Sequence, residues 1–593
     1  MISYLFLFFS LLIFLYPNRE KSNNYSLYSI LFGAFNLAHF LLGFISLLLI
    51  HTGNSKFPIL IITTFIFLFS LIKGSQSFNK LNEIKNFLRI EMNNLTIKNE
   101  NNKFQNLKVY FLALILFLIF ISSFGPINHP DAADYHVGYP YQYFLRGGIF
   151  LDGGMHQGLL GLADYANLAF IQEKTIWFIR TVQIINLPLI VLFLSNKLKN
   201  NILILTFLTI PTFIQWSTIG KPLFLGESSL IILYLIWNNE KTSHSLKLLV
   251  LSALGCISFK ISSLLIIFPI FLIYLLNIFS DNKVKKNFYS DMKFILISKE
   301  FSIVVLILIY LLITRHIITG NFIYPLLTNI FNKDDILVSQ FSSYLSNYER
   351  NNLFFLRIFI PINSNSLSSA FGPTIFILTV SIFFKAYKSN FLKNQIFLVT
   401  FGQLIFLLLF CQGRSDYYVA PLILIIYQSN EIGYIFKNLN FRYFYLFSLL
   451  LQLLIFVIFI SFSIYLNFNS AINFNQVMNK TAYGFNFSKY IKESIPGNVL
   501  IMARNTRLYY PENYVDIDNF NKCLINKSSS NQKNNKVCLE KHKVNQAIIV
   551  RKNDAIDEND YSCKTIDGYY PTRRFIFRKK FNFKYCKKIN FYK

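Results

Sequence analysis

Long stretches without a charge recur along most of this chain, each near the ~20 residues that cross the apolar core of a bilayer. Backbone polar groups find no partner in lipid, so such a stretch is tolerated there only as a helix or within a closed barrel. Hydrophobic residues are 53% of the 593, Phe alone supplies 66, and charged residues are 15%. Candidate spans lie at 2–16, 27–50, 57–73, 109–126, 176–194, 202–216, 222–237, 247–259, 262–279, 302–318, 372–384, 395–411, 418–428 and 443–466. Several of the fourteen are short, so an all-α polytopic membrane protein with about 12–14 transmembrane helices is expected. The first run lacks a basic n-region and a small-residue cleavage site, and reads as a retained span.

Lysines and arginines in short loops set the orientation. The loop 74–108 is basic, with Lys80, Lys85, Arg89, Lys98, Lys103 and Lys108, and so are the loops around Lys197–Lys199, Lys283–Lys286 and Lys385–Lys393. Segment 127–172 holds one arginine, Arg146, against Asp131, Asp134, Asp152 and Asp164. Fourteen spans put every basic loop on the cytoplasmic side and leave the acidic loop, and residues 467–593, outside.

Beyond 466 the apolar runs shorten and alternate with polar residues. Asn498–Ala503 and Gln546–Val550 read as buried strands of a soluble α/β outer domain. Cys523, Cys538, Cys563 and Cys586 lie here, and an even number in an exported segment predicts disulfides. Three connectivities are possible; Cys523–Cys538 and Cys563–Cys586 are preferred on proximity alone. A zinc site is the rival, but no pair has the usual two-residue spacing. Cys256 and Cys411 read as small apolar fillers of spans. This tail carries 23 Lys/Arg against 10 Asp/Glu, a net +13 of the chain's +28. The surplus suits anionic headgroups or substrates, although Lys, Asn, Ile, Phe and Tyr are abundant together, as in AT-rich coding. Nucleic acid is not an expected partner.

Where the run Val109–Phe124 ends, residues 128–136 read Asn-His-Pro-Asp-Ala-Ala-Asp-Tyr-His. Ionisable groups at the mouth of a span are costly and tend to be kept for ions, protons or substrates. On a helix Asp131 and Asp134 would share a face, a site for base chemistry or a hard cation, with His129, Tyr135 and His136 beside them. The same residues read equally as a solvated loop that caps the next helix. The loop continues Tyr139-Pro-Tyr-Gln-Tyr-Phe-Leu-Arg146-Gly-Gly148, amphipathic enough to lie on the membrane surface, then Asp152-Gly-Gly-Met-His156-Gln157-Gly158. Lys221 and Glu227 interrupt one apolar region, Lys260 separates two runs with almost no loop, and Arg414, Asp416 and Tyr417 lie in Gln412–Tyr418. Lys221, Lys260 and Arg414 fall at the outer face, where they suit a phosphate at the lipid boundary or snorkel to headgroups.

The acidic loop and the Tyr139–Gly148 stretch, followed by Gly255–Ser263, Thr319–Pro325 and Gly413–Pro421, resemble the GT-C glycosyltransferases, which include protein mannosyltransferases and the aminoarabinose transferases of lipid A. Their order along the chain, from 109 onward, carries the resemblance; no single motif is specific. Three spans precede the family's first helix, and its acidic pair is often closer than Asp131 and Asp134, so the likeness is to a divergent bacterial branch. Residues 1–108 then hold extra membrane helices and a basic loop that many relatives lack, and the resemblance implies a transmembrane core over 109–466 with outer loops 127–172 and 319–371. Residues 467–593 would form a periplasmic domain, in the inner membrane of a bacterium. It also implies transfer of a sugar from a polyprenyl-phosphate donor to an exported lipid, glycan or protein acceptor. Asp131 or Asp134 would be the catalytic base, with His136, Tyr135, Arg146, Lys221, Lys260, Arg414 and Tyr417 around the substrates. Some relatives hold a divalent ion with this loop; Asp131, Asp134 and His136 would then bind Mg or Mn, and others need no metal. The rival classes are a transporter or flippase of lipid-linked or anionic substrates, for which no internal repeat is evident, and an O-antigen polymerase or ligase.

Overall fold

The computed structural model describes residues 1–16, 27–73, 77–97, 103–151, 155–198, 201–280, 282–326, 359, 371–388, 394–410, 417–430, 439–482, 485–491, 497–502, 507–516, 520, 523, 532–549, 560–571 and 578–589. Each of the fourteen apolar segments carries helix. Helices α1 (Ile2–Leu15), α2 (Leu27–His51) and α3 (Ile59–Lys73) pack together. Helix α4 (Ser77–Ile97) occupies most of what reads as a basic loop. It is too polar to register as a span, and its acids hold the ends of its neighbours: the Tyr16 hydroxyl donates to Glu83, and the Tyr28 hydroxyl donates to Glu91 at 2.6 Å.

After α5 (Lys103–Ser123) and α6 (Gly138–Arg146) come short helices α7 (Leu162–Tyr165), α8 (Asn167–Gln172) and α9 (Ile179–Val182), then α10 (Leu187–Lys197). Helices α11 (Asn201–Leu208) and α12 (Pro211–Ile219) meet at a 48° bend, where Pro211 opens the second helix. A proline at a helix start loses no intrahelical bond and blocks smooth continuation of the preceding one. Helices α13 (Phe224–Glu240), α14 (Ser243–Phe259), α15 (Leu264–Ser280), α16 (Asn282–Leu296) and α17 (Lys299–Thr319) follow, with further helices at Pro373–Lys388, Gln395–Phe410, Val419–Ser429 and Leu439–Ile472.

Among the described residues four helical segments are long and apolar enough to cross a membrane: Leu27–His51, Ile176–Lys197, Lys299–Thr319 and Asn440–Ile472. The bent pair α11–α12 makes a fifth if counted as one span, and eight further apolar helices have only 10–17 residues. By length and composition alone, four or five of the described helical segments therefore qualify as spans, and the eight shorter apolar helices fall on eight of the other nine expected ones. Turns and prolines cut the apolar runs into pieces that pack against one another, and α13, Glu227 included, is buried from Phe224 to Trp237.

The tail forms one mixed sheet in the order β2–β1–β3–β5–β4, from β1 (Asn498–Met502), β2 (Tyr514–Asp516), β3 (Val544–Ile549), β4 (Tyr561–Pro571) and β5 (Arg578–Lys588). Strand β1 runs parallel to β2 and β3, and β5 is antiparallel to β3 and β4. Period-two alternation sends Leu500 and Met502 to one face, with Phe520, Cys538 and Leu539, and Val499 and Ile501 to the other, with Phe487, Ile548 and Phe583. Disulfides join Cys523 to Cys538 and Cys563 to Cys586, the latter a directly opposed pair on β4 and β5. Most of the expected outer loop 319–371, and Cys411, lie outside the described residues.

Candidate functional site

The acidic loop leaves α5 through Gly125-Pro126 and turns back at Pro130. Residues Ala132–His136 form a π-turn, closed by the Val137 N–H donating to the Ala132 carbonyl at 2.9 Å. Such turns are rare and favour functional sites. Pro140, four residues beyond His136, has no N–H to give its carbonyl, and Asn167 Nδ2 donates to that carbonyl instead, at 2.7 Å. The π-turn also separates the two aspartates, which bind different partners instead of sharing one.

Asp134 is fully buried. Arg507 Nη1 donates to its Oδ1, and His156 Nδ1 lies 2.5 Å from its Oδ2. Burial alone would raise this carboxyl's pKa; Arg507 and His156 outweigh it and hold the group below the usual carboxylate range. Arg507 comes from the short turn Arg507–Tyr509 between β1 and β2, and its Nη2 donates to Asp516 on β2 at 2.9 Å. Around it Gln142 Nε2 donates to the carbonyls of Arg507 (2.9 Å) and Tyr510 (3.1 Å), and the Tyr509 hydroxyl donates to the Ile127 carbonyl at 2.6 Å. Gly138 makes this docking possible, since a Cβ there would stand 3.0 Å from Arg507 Cβ and overlap the Ala133 carbonyl. Helix α6 is thus covered by the tail: Tyr139, Gln142 and Tyr143 are wholly buried, contrary to the surface helix expected from its amphipathic pattern.

Asp131 is partly open, 24% exposed, and its carboxylate pairs with Lys221 Nζ at 2.7 Å. Lys221 sits in the short break between α12 and α13. His136 is buried, and its Nδ1 lies 2.6 Å from Asp164 Oδ1. Asp164 is fixed in turn, its Oδ2 accepting the Gly161 N–H at 2.9 Å. Burial holds the imidazole below its ordinary pKa; Asp164 opposes this, while the charges of Lys221 and Lys260 add to the lowering. A neutral ring donating Nδ1–H to a carboxylate presents Nε2 as an acceptor. That atom is buried with no partner among the described residues. Lys260 donates to the Tyr417 hydroxyl at 3.0 Å, its Nζ 4.3 Å from that ring's centre.

The expected residues therefore divide. Asp131, Lys221, His136 and Lys260 form one electrostatic group, and the Tyr135 ring lies 3.9 Å from that of His136. Asp134 belongs to the tail contact. Arg146 points away, its guanidinium 3.9 Å from the Phe150 ring and 4.8 Å from that of Tyr514. Arg414 and Asp416 lie outside the described residues. Asp131, Asp134 and His136 each have a different ion-pair partner, and among the described residues no cluster of three such ligands is found.

His156, Asp164 and Arg507 gave no local signal of these roles, because each pairs with a residue more than 20 positions away, and Asp516 follows Arg507. Two buried arginines did leave one, a charge inside an apolar run. Arg180 donates to the carbonyls of Ser123 (3.1 Å) and Thr218 (3.2 Å) and to Asn467 Oδ1 (3.0 Å). Arg315 on α17 donates Nη2 to the Leu160 carbonyl at 3.3 Å. No protein-family model, no curated protein and no solved structure matches the chain.

Proposed function

We propose that this chain is a polytopic membrane glycosyltransferase that moves a sugar from a polyprenyl-phosphate donor to an exported lipid, glycan or protein hydroxyl. In this reading the spans cross a bacterial inner membrane, with the acidic loop and the tail on the periplasmic side. The observation that carries it is the partly open Asp131–Lys221 pair beside Lys260 and the buried His136. Two cations within reach of one proton acceptor are what displacement of a phosphate by a hydroxyl needs. The lysines stabilise charge developing on the leaving phosphate, commonly the largest electrostatic contribution. Release of the acceptor's proton to a neighbouring group contributes roughly 10²–10⁴-fold. The shared residue order of the GT-C enzymes supports the same reading, with Arg414 as a further phosphate ligand.

The test is purified protein in nanodiscs with polyprenyl-phosphate-linked sugars and a hydroxyl acceptor. The expected result is release of polyprenyl phosphate that depends on Lys221 and Lys260. If the protein instead moves the intact lipid between leaflets without cleaving it, the flippase class replaces this reading.

A further inference from the structure

We infer that His136, held by Asp164, is the group that takes the acceptor hydroxyl's proton, through Nε2. The inference rests on the glycosyl-transfer reading and names the base within it. Three observations lead there. Ring and backbone are each held: Nδ1 lies 2.6 Å from Asp164 Oδ1, and Asn167 fixes the residue's carbonyl at 2.7 Å. Asp164 is itself tied to the Gly161 N–H, so it cannot swing away without losing that bond. Nε2 is left buried and without a partner among the described residues, on the side of the ring away from Asp164.

The two aspartates are less suited. Asp134 has Arg507 on one oxygen and His156 on the other, and Asp131 is neutralised by Lys221. The charged groups facing His136 are Asp164, Lys221 and Lys260, with Asp131 behind Lys221 and Arg315 near Asp164. Burial, helped by the lysines' charges, keeps the imidazole unprotonated between turnovers, and Asp164 balances the charge when the proton arrives.

In the step, the acceptor O–H bond breaks and its proton passes to Nε2. The acceptor oxygen bonds to the sugar's anomeric carbon as the bond from that carbon to phosphate oxygen breaks. The electron pair of that bond leaves on polyprenyl phosphate, beside the lysines. Asp164 is a positioning residue, because it fixes which nitrogen carries the hydrogen and touches no substrate.

The experiment uses the full chain in nanodiscs with 15N-labelled histidine, His136→Gln assigning the signal. At neutral pH His136 should be uncharged, with hydrogen on Nδ1 and a bare Nε2, and Asp164→Asn should shift the hydrogen toward Nε2. A charged ring, or hydrogen on Nε2 in the unmutated protein, overturns the inference whatever the turnover. In parallel, His136→Gln should lower sugar release from polyprenyl-phosphate glucose or mannose by about 100-fold, with undecaprenyl phosphate binding held within about threefold of the unmutated value. Undiminished release in that variant sinks the role of His136 and leaves glycosyl transfer standing. An unmutated protein that neither binds undecaprenyl phosphate nor cleaves either donor sinks both.

Discussion

Arg507 and Asp134 lie 373 residues apart in sequence, yet they share a buried ion pair that fastens the tail sheet to the acidic loop. Removing one member of such a pair strands the other charge, at a cost of about 3–5 kcal/mol, whereas removing both is far milder. Arg507→Met should therefore lower the thermal unfolding temperature sharply, since it strands both Asp134 and Asp516, and adding Asp134→Asn and Asp516→Asn together should recover much of the loss. Equal melting of the single and triple variants would show that these pairs do not hold the two parts together.

The same pair has a pH signature. The Asp134 pKa is lowered in the folded protein, so its stabilisation is complete above the ordinary carboxylate value of about 3.9 and is lost as pH falls through the folded value. Protease sensitivity of the tail should rise as the medium is acidified below about pH 4. Asp134→Asn should flatten that dependence; an unchanged profile would assign the acid sensitivity to other carboxylates.

Lys221 is divided between Asp131 and any phosphate that enters. Lys221→Gln should weaken undecaprenyl phosphate binding by about 10- to 100-fold, the worth of a hydrogen bond to a charged group. Asp131→Asn frees the lysine, so binding should hold or tighten. Weaker binding in Asp131→Asn would contradict this arrangement and favour direct contact of the carboxylate with the ligand.

Arg180 ties the end of α5, the end of α12 and the long helix Leu439–Ile472 together through three oxygen acceptors. A Cβ at Gly125 would overlap both Arg180 Nη2 and Asn467 Oδ1. Gly125→Ala and Arg180→Met should each destabilise the fold by about 3 kcal/mol or more, as buried acceptors lose their donors. Because both changes break the same contact, the double variant should melt close to the worse single one. Additive losses would mean that the two sites are independent.

Both disulfides close short loops, of 15 and 23 residues' separation, each worth about 3 kcal/mol by the loop-closure argument. Alkylation before and after reduction should show these four thiols blocked until reductant is added, and protease resistance of the tail should fall with reduction. Free thiols at Cys523 or Cys586 in the untreated protein would refute the pairing.

Apolar runs made the helices legible, because continuous hydrophobicity leaves the backbone few alternatives. Their membrane count was not, since eight of the described apolar helices have only 10–17 residues, and composition does not show where within an apolar run a helix stops. Helix α4 was hidden because its polar face reads as loop. At the site, the cluster at 129–136 and the isolated Lys221 and Lys260 stood out against apolar surroundings. Their pairing did not, since the π-turn rotates Asp134 away from Asp131, and a fixed helical period cannot anticipate it. Arg507, one of many tail cations, had nothing to distinguish it before the fold brought it to Asp134.

The distance along the chain between Asp134 and Arg507 also sets an order of events during synthesis. At about 5–20 residues per second, the ribosome takes roughly 20–75 s to pass from one to the other. For that interval the loop is made and the helices are forming, while Asp134 lacks its cation. A half-made chain thus carries a carboxylate it cannot bury cheaply, and its loop stays loose until the tail arrives. Docking of the tail onto the loop becomes a late step of biogenesis, and a ribosome that stalls before the tail leaves the loop without its cover.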